Sequence, residues 1–326
     1  SLERAQDKFI KVVGAKKNNL KNITVEIPLN NLVLLTGVSG SGKSTFVHQV
    51  LIPTLKEEKP IACQKIIGID LIDSIIELDQ SPIGRTPHSN PATYCGIFDD
   101  IRILFSKTQD SQIRGYGPGR FSFNVKGGRC EDCEGNGVKK IEMHFLPDVY
   151  LTCPTCNGSR YNKETLKITY KNLNIADILG LSIEEAYDVF KNHNKLGRTL
   201  KCLLDVGLGY LKLGQPATTL SGGEAQRMKI SRELSKKPRG HIFYILDEPT
   251  TGLHFNDIKL LLNIVQTLVN NGHSVLIIEH NIDVIKTADY VIDLGPEGGD
   301  GGGEVLYAGQ IKNLSKVKNS YTAKYL

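Results

Sequence analysis

Apolar runs of strand length alternate with helical patterns near both ends of the chain. Leu32–Thr36 is almost wholly apolar, and so are Ile242–Leu246 and Val275–Ile278, as expected of strands buried on both faces of a parallel sheet. Ile258–Val269 carries its apolar residues at the spacing of an amphipathic helix. This alternation predicts an α/β fold with a largely parallel sheet. Further strands are predicted at Phe9–Val13, Ile23–Ile27, Tyr290–Leu294 and Glu304–Ala308.

The middle of the chain has a different character. From about residue 83 to residue 161 it is rich in Gly, Pro and Asn and has few long periodic segments, which predicts an inserted module. Ile183–Phe190 and Leu196–Val206 then predict helices, and Ser182 with Glu185 forms a capping box for the first of them. Nearer the end, a cluster of glycines at residues 298–303 precedes the last predicted strand.

A sequence directly after Leu32–Thr36 matches the phosphate-loop pattern G-x-x-x-x-G-K-[ST] at every fixed position. Its glycines allow successive N–H groups to point inward at a phosphate, and the following helix adds the partial positive charge of its N-terminus. We expect Lys43 to reach the β- and γ-phosphates of a nucleotide and the Ser44 hydroxyl to ligate Mg²⁺. The helix that begins at Thr45 is predicted to end before Pro53. The predicted nucleotide-binding residues here are Gly37, Val38, Ser39, Gly40, Ser41, Gly42, Lys43, Ser44 and Thr45.

Two carboxylates follow the strand Ile242–Leu246. Asp247 is placed to hold Mg²⁺, directly or through water, and Glu248 to polarise the water that attacks a γ-phosphate. Two acids after a strand would, on their own, be better explained as surface residues. The phosphate loop in the same chain favours the catalytic interpretation.

Composition narrows the class of protein. The 326 residues are 40% hydrophobic, enough for a sizeable core and two or more lobes, and the net charge of +5 is a weak indication of anionic partners. No apolar run has the length of a membrane span and no signal peptide is evident, so we expect a cytoplasmic protein with no membrane partner. The seven cysteines suit a reducing compartment and a metal better than a disulfide framework.

Four of these cysteines stand in two C-x-x-C pairs, Cys130 with Cys133 and Cys153 with Cys156, and 19 residues separate the pairs. This spacing is typical of a four-thiolate Zn²⁺ site. Because four thiolates leave no open coordination position, the zinc is predicted to be structural rather than catalytic.

The stretch LSGGEAQR at Leu220–Arg227 places Ser221 and two glycines at the predicted start of a helix, a second anion-binding terminus. With the phosphate loop and the paired carboxylates, it resembles the LSGGQ signature of the ATP-binding-cassette (ABC) ATPases. The fifth position is Glu224 instead of the common Gln. The predicted fold class is therefore α/β, an ABC-type P-loop NTPase with a helical signature domain and an inserted zinc module. The predicted signature residues are Ser221, Gly222, Gly223 and Glu224.

The ABC resemblance also implies roles for residues outside the phosphate loop. Gln80 matches the Q-loop residue that monitors the γ-phosphate and Mg²⁺, and His280 matches the switch histidine. ATP and Mg²⁺ are the implied ligands, and Glu248, His280 and Lys43 the implied catalytic residues. Mg²⁺ is assigned to Ser44, Gln80 and Asp247. At the D-loop the chain has Gly252–His254 where many ABC proteins carry an Asp, which leaves the coupling role of that loop open.

The gap of 178 positions from Lys43 to Ser221 is longer than in most ABC modules, and it holds both cysteine pairs. A zinc-bearing insertion at this place resembles the UvrA family of bacterial nucleotide excision repair. The resemblance spans nearly the whole chain and implies a C-terminal fragment that contains the second of two ATPase halves; the absence of an initial Met agrees with a fragment. The stretches that carry it are DQSPIGRTP at 79–87, SNPATY at 89–94, GRFSFNV at 119–125, EMHFLPD at 142–148 and DLGPEGG at 293–299.

The UvrA resemblance implies an ATP-hydrolysing subunit that binds damaged duplex DNA and helps to load UvrB, with weak hydrolysis by this half alone. In ABC proteins Lys43 and Ser221 would serve opposite nucleotide sites, so a second ABC module is an implied partner, either the N-terminal half or another protomer. One alternative is an ABC ATPase associated with transport or antibiotic resistance. Another is a nucleotide-binding module that no longer hydrolyses ATP.

Basic and aromatic residues interleave ahead of the first cysteine pair. Residues 112–130 hold four basic side chains and no acid, with Tyr116, Phe121 and Phe123 among them. This pattern predicts a nucleic-acid surface, in which shape and deformability distinguish damaged DNA. It is equally well explained by aromatics that pack the module and charges that are solvated. The predicted phosphate contacts are Arg120, Lys126, Lys139 and Lys140.

These patterns together predict the domain organisation. An ATP-binding core is expected at residues 1–82 and 225–326, and a signature domain at 83–224. The zinc module is expected within the signature domain, at about 115–162.

Overall fold

The computed structural model describes Arg4, residues 6–84, Thr86, and residues 88–141, 149–236 and 240–326. Some residues of the stretches that carry the UvrA resemblance lie outside these described residues. They are Arg85, Pro87 and residues 142–148. The chain divides into two compact units, Ser1–Gln80 with Lys236–Leu326, and Ser81–Ser235. They are called the first and the second unit below, and each is described by itself.

Both units contain strands and helices. The strands are β1 Phe9–Ala15, β2 Ile23–Pro28, β3 Leu32–Gly37, β4 Lys65–Ile67, β5 Ser74–Leu78, β6 Val138–Ile141, β7 Val149–Thr152, β8 Thr169–Tyr170, β9 Leu173–Asn174, β10 Ile242–Asp247, β11 Ser274–Ile278, β12 Tyr290–Gly295 and β13 Glu304–Gly309. The α-helices are α1 Ile52–Lys56, α2 Pro91–Tyr94, α3 Ile97–Ser106, α4 Gln109–Ile113, α5 Lys163–Leu166, α6 Ile175–Gly180, α7 Ile183–Phe190, α8 Asn194–Asp205, α9 Gly222–Ser235, α10 Phe255–Asn270 and α11 Ile282–Ile285. A π-helical segment lies at Thr45–Leu51, and short 3-10 helices lie at Ile69–Leu71, Pro118–Phe121, Ala217–Thr219, Gly299–Gly301, Ile311–Lys316 and Thr322–Tyr325.

A six-stranded sheet in the order β13-β12-β3-β11-β10-β5 forms the centre of the first unit. All its neighbouring strands are parallel except β12 and β13. The predicted largely parallel sheet is therefore confirmed. All residues of β3 are buried, as expected of a central strand covered on both faces. The carboxyl ends of β3, β10 and β11 lie at one edge of the sheet, where ligands of open α/β sheets bind.

A second, antiparallel sheet in the order β2-β1-β4 packs onto the first. Apolar residues of this sheet, such as Ile10 and Val25, share one buried cluster with Val33 of β3. Phe46 and Val50, from the segment after the phosphate loop, belong to the same cluster. The start of that segment is thus anchored in the core while the loop before it is left at the edge of the sheet.

The helix after the phosphate loop does not end before Pro53, so that prediction is wrong. Its first part is π-helical, and Ile52 donates its backbone N–H to Val47 O, five residues back. α1 follows with Pro53 in its first turn, where the missing N–H of proline costs little. Proline therefore marks the change from one helical segment to the next instead of the end of the helix.

The second unit is mainly helical, with two small hairpins, β6–β7 and β8–β9. The capping box of α7 is confirmed, because Glu185 N donates to Ser182 Oγ and Ser182 N donates to Glu185 Oε2. The expectation of few periodic segments before residue 161 missed α3, which begins after Gly96 and buries Ile101 and Phe105. The apolar pattern of this helix spans only ten residues and is flanked by turns, so it does not stand out in the sequence. In the described residues, no helix combines the length and the apolar character needed to cross a membrane.

Candidate nucleotide and metal sites

The phosphate loop leaves the sheet at the end of β3. Gly37 has a φ of 133°, and a Cβ at this position would lie 2.0 Å from Leu294 O of β12, so the strand can end here only with glycine. A cleft of about 160 Å³ lies against the loop. Its lining residues are Asn19, Ser39, Gly40, Gly42, Lys43, Ser44, Thr45, Glu248 and His280.

Lys43 is buried at the base of this cleft, and its ammonium group is held by the loop itself. Nζ donates to Gly37 O and to Val38 O, both at 2.8 Å. Burial lowers the pKa of Lys43, and the charges of Glu248, Asp293 and Asp247 oppose that shift. The nearby carboxylates offset only part of the cost of burying this positive charge. An anionic ligand would supply the remaining negative charge.

Asp247, at the end of β10, lies beside a histidine that the sequence patterns did not single out. Asp247 Oδ2 is 2.8 Å from His48 Nε2, and His48 Nδ1 is 3.3 Å from Glu77 Oε1. The hydrogen bond to Asp247 raises the pKa of His48, and the charge of Glu77 adds to the shift. His48 thus holds the Asp247 carboxylate in place. Because His48 belongs to none of the recognised motifs, the sequence did not indicate this contact.

Glu248 follows in a backbone conformation that non-glycine residues seldom adopt, with a φ of 41°. Its Oε1 is 3.4 Å from His280 Nε2, and both side chains are about half exposed. Gln80, on the loop after β5, donates Nε2 to Glu248 O at 2.9 Å. The structure therefore gathers three residues that are distant in sequence, Gln80, Glu248 and His280, at the edge of the sheet.

Glu279, the residue before the switch histidine, is a buried carboxylate that joins two loops. It accepts hydrogen bonds from His280 N and Asn281 N at 2.7 and 3.0 Å. It also accepts from Thr250 N at 3.0 Å and from the Thr250 hydroxyl, in the loop after β10. No motif in the sequence indicates this role for Glu279, because its partner Thr250 lies in a distant loop that only the fold brings close.

The chemistry of these side chains fits a triphosphate with a hard divalent cation. A hydroxyl (Ser44) and a carboxylate (Asp247) offer oxygen ligands of the kind that Mg²⁺ prefers. Lys43 and the N-terminus of the segment Thr45–Leu51 offer positive charge to phosphate oxygens. Glu248 and His280 line the same cleft and can act on a proton there.

The signature loop lies in the second unit. Glu224 N donates to Ser221 Oγ at 3.2 Å and Ser221 N donates to Glu224 Oε2 at 2.7 Å, a reciprocal cap of α9. The Tyr210 hydroxyl, which the sequence patterns missed, donates to Glu224 Oε1 at 2.5 Å. Burial opposes ionisation of Glu224, but the hydrogen bonds from Tyr210 and Ser221 outweigh it and lower its pKa. Glu224, which stands where the ABC signature usually has Gln, thus preserves the cap at the start of α9.

The four cysteines of the predicted metal site are gathered in the second unit. The Sγ atoms of Cys130, Cys133, Cys153 and Cys156 all lie within 4.8 Å of one another, and Cys133 Sγ is 3.6 Å from Cys156 Sγ. Tetrahedral Zn–S bonds of about 2.3 Å place sulfurs roughly 3.8 Å apart, so the cluster fits zinc. Gly135, Gly137 and Gly158 have positive φ in the two knuckles. The predicted four-thiolate cluster is confirmed.

The basic residues near this cluster have different surroundings. Lys126, Lys139 and Lys140 are exposed, and Lys139 Nζ pairs with Asp132 Oδ1 at 2.7 Å. Arg120 is held internally, with its guanidinium 4.3 Å from the Tyr116 ring centroid and Nε donating to Thr165 Oγ1 at 2.9 Å.

Two of the three interleaved aromatics do not face solvent. Phe121 and Phe123 are fully buried, so the explanation that they pack the module is correct for these two. Tyr116 is half-buried beneath Arg120. Nucleic-acid contact by this surface would therefore depend on charge and not on stacking of these phenylalanines.

Comparison with known proteins identifies the family, although no family model matches the chain. UvrABC system protein A of Aquifex aeolicus is 59% identical over 325 residues, which are 98% of this chain and 35% of that protein. The Staphylococcus aureus (strain COL) protein of the same name is 59% identical over 328 residues, 99% of this chain and 35% of its own length. The chain thus spans about a third of these relatives.

Solved structures agree with this result. The crystal structure of UvrA2 from Deinococcus radiodurans superposes with a TM-score of 0.94 at 47% identity, covering 99% of this chain and 40% of that one. A nucleotide-free ATP-binding cassette from an ABC transporter, at 16% identity, has a TM-score of 0.51 and covers 98% of this chain, which shows the shared fold. The chain has the ABC-type P-loop fold, and it belongs to the UvrA family.

Proposed function

We propose that this chain is an ATP-hydrolysing part of a DNA-damage-recognition protein of nucleotide excision repair. The observation that carries the proposal is the single cleft where the phosphate loop meets Glu248 and His280, with Asp247 and Gln80 alongside. The relatives, of which it spans about a third, support the repair role. The likeness to a transporter cassette concerns the fold alone and lends no support to a transport function.

Each side chain has a defined task in this proposal. Lys43 and the loop N–H groups bind the β- and γ-phosphates of ATP, and Ser44, Gln80 and Asp247 hold Mg²⁺. A Mg²⁺ ion held by these residues would supply positive charge that offsets the charge of the phosphate groups. Glu248 accepts a proton from the attacking water, and His280, 3.4 Å away, orients the Glu248 carboxylate. Ser221 and the signature glycines serve the nucleotide of a second ABC module.

The partners belong to the same proposal. They are damaged double-stranded DNA, UvrB, and a second ABC module, and the cellular location is the cytoplasm. We also propose an ATP-binding core at residues 1–82 and 225–326, a signature domain at 83–224, and a zinc module at about 115–162. The division of the chain after Gln80 supports the first of these boundaries. The second unit runs to Ser235 and includes the whole of α9, which a boundary at residue 224 would divide.

Replacing Lys43 by Ala tests nucleotide binding. Loss of a charge-assisted hydrogen bond of about 1.5–3 kcal/mol is expected to weaken ATP binding roughly 10- to 100-fold. Titration with a fluorescent ATP analogue measures the dissociation constant. The exposed Lys65 of β4 provides the matched control, Lys65→Ala, which should bind as the unchanged protein does. Equal affinity of both variants would refute the assigned nucleotide site.

Neutralising Lys126, Lys139 and Lys140 tests DNA contact. Replacing all three by Gln is expected to lower the affinity for damaged duplex and to flatten its salt dependence. The slope of log K against log salt should fall by about 0.9 for each lost phosphate contact. Arg120 is left unchanged in this experiment because its internal contacts would confound the result.

The control carries three Lys→Gln changes on exposed residues elsewhere in the second unit, and its binding should match that of the unchanged protein. Binding is compared for damaged and intact duplexes over a series of salt concentrations. A slope equal to that of the unchanged protein would remove these lysines from the interface. The control positions are Lys191, Lys195 and Lys201.

A further inference from the structure

The glycine cluster at residues 298–303, called the outer loop here, has no part in the proposed function. In the structure it lies over the phosphate loop on the first unit. Gly299 N donates to Gly40 O at 3.0 Å, and Gly303 N donates to Ser41 O at 3.1 Å. Two backbone carbonyls of the phosphate loop are therefore bonded from outside by a segment more than two hundred residues away in sequence.

Asn19, in the turn between β1 and β2, joins the two loops. Its Nδ2 donates to Gly40 O and to Gly299 O, each at 2.9 Å. Gly40 O thus accepts two hydrogen bonds, one from the outer loop and one from Asn19. Since Asn19 also lines the nucleotide cleft, this contact lies directly at the binding site.

These bonds orient the peptide groups of the phosphate loop. In a trans peptide the C=O and the following N–H point in opposite directions. Ser41 O is turned towards Gly303, so the N–H of Gly42 points away from the outer loop. With Lys43 Nζ bound to Gly37 O and Val38 O, four carbonyl groups of the loop are held by hydrogen bonds within the protein.

The approach of the two loops is too close for side chains at specific positions. A Cβ on Gly298 would lie 2.6 Å from Ser39 O, although the φ of −88° at Gly298 suits any residue. A Cβ on Gly303 would lie 1.8 Å from Asn19 O, and its φ is 82°. By contrast, a Cβ on Gly301 would meet only the Glu297 side chain, at 3.0 Å. Gly298 is therefore needed for contact with the phosphate loop, and Gly303 for contact with the turn that carries Asn19.

We propose that the outer loop and Asn19 form a clamp that holds the phosphate loop in its triphosphate-binding shape. The inference rests on the proposed nucleotide site and adds Asn19 and Gly298 to it as positioning residues. Because a pre-formed loop need not be ordered by the ligand, the clamp contributes to affinity. It does not touch the groups that activate water, so it acts on binding and not on turnover.

Two matched pairs of variants test the clamp. Gly298→Ala drives a Cβ against Ser39 O, whereas Gly301→Ala makes the same change in the same loop away from the phosphate loop. Asn19→Leu removes the amide donor at similar volume. Gln49→Ala, the control, removes the acceptor of a hydrogen bond from the neighbouring Asn18, at 3.2 Å. Binding of a fluorescent ATP analogue, thermal melting without nucleotide, and steady-state ATPase with a second module supplied are measured for each.

Gly298→Ala and Asn19→Leu are expected to raise the dissociation constant at least about tenfold, as the binding-competent fraction of the loop falls. Their kcat should stay within about twofold, so that KM alone rises, and Gly301→Ala and Gln49→Ala should behave as the unchanged protein. Folding of each variant is verified by a melting temperature near that of its control. If Gly298→Ala fails to fold, Asn19→Leu decides the question.

The outcomes separate this inference from the proposed function. Normal affinity in folded Asn19→Leu and Gly298→Ala, with weak binding in Lys43→Ala, would overturn the clamp and leave the nucleotide site intact. A fall in kcat at unchanged KM would also overturn it. No nucleotide binding by the unchanged protein would overturn both.

Discussion

Replacing Glu248 by Gln is expected to lower ATP turnover by about 10²- to 10⁴-fold, the range typical of losing a general base. Glutamine keeps the shape of the side chain but cannot accept the proton of the attacking water at neutral pH. ATP binding should remain, because Lys43 and the phosphate loop are unchanged. Phosphate release is measured at saturating ATP and Mg²⁺, for this chain alone and with a second ABC module supplied.

The geometry explains why the effect should be confined to turnover. Glu248 is about half exposed and is 3.4 Å from His280, so a water molecule can reach its carboxylate. Glu26→Gln, on the exposed face of β2 where Glu26 pairs with Lys11 at 2.6 Å, is the control for loss of one carboxylate from the same unit. Unchanged phosphate release in Glu248→Gln would show that another group activates the water.

Removal of zinc is expected to unfold the module around the four cysteines. Structural zinc sites contribute about 10–16 kcal/mol of apparent binding free energy at neutral pH in small zinc modules, as much as the whole stability of a typical domain. Among the residues that the structure describes, the buried apolar cluster at this point consists of Cys130, Cys133 and Cys153 with Cys156 packed against them, so it offers little that could replace the metal. Chelator titration followed by circular dichroism and hydrogen exchange of residues 128–162 measures the loss.

Cys153→Ser should reproduce the effect of the chelator, and metal analysis should fall from one zinc per chain to well below one. Cys202→Ser, in α8 and outside the cluster, serves as the control and should retain zinc. The site would not be structural if chelation removed the metal while protection of residues 128–162 persisted.

Local patterns predicted most of the parts of this molecule. The strand–loop–helix context of Lys43, the capping box at Ser182 and the spacing of the cysteine pairs each depend on residues close in sequence, and each is present in the structure. Pro53 misled the prediction, because the π-helical turn before it allows a new helical segment to start at that point.

Contacts between distant segments could not be predicted in the same way. The bonds of His48 to Asp247, Gln80 to Glu248 and Asn19 to Gly299 join residues that only the sheet order places together. Tyr210 was missed for a similar reason, since its hydroxyl meets Glu224 across a turn that no motif describes. The roles assigned to the site residues themselves stay predictions for the experiments above.

The carboxylate of Glu279 links the loop after β10 to the loop that carries His280. Its oxygens are bonded to Thr250 on one side and to the N–H groups of residues 280 and 281 on the other. Separating the loops would leave a buried acid with lost partners, at a cost of about 1–3 kcal/mol or more. We therefore expect a displacement at Thr250 to shift the loop that carries His280 as well.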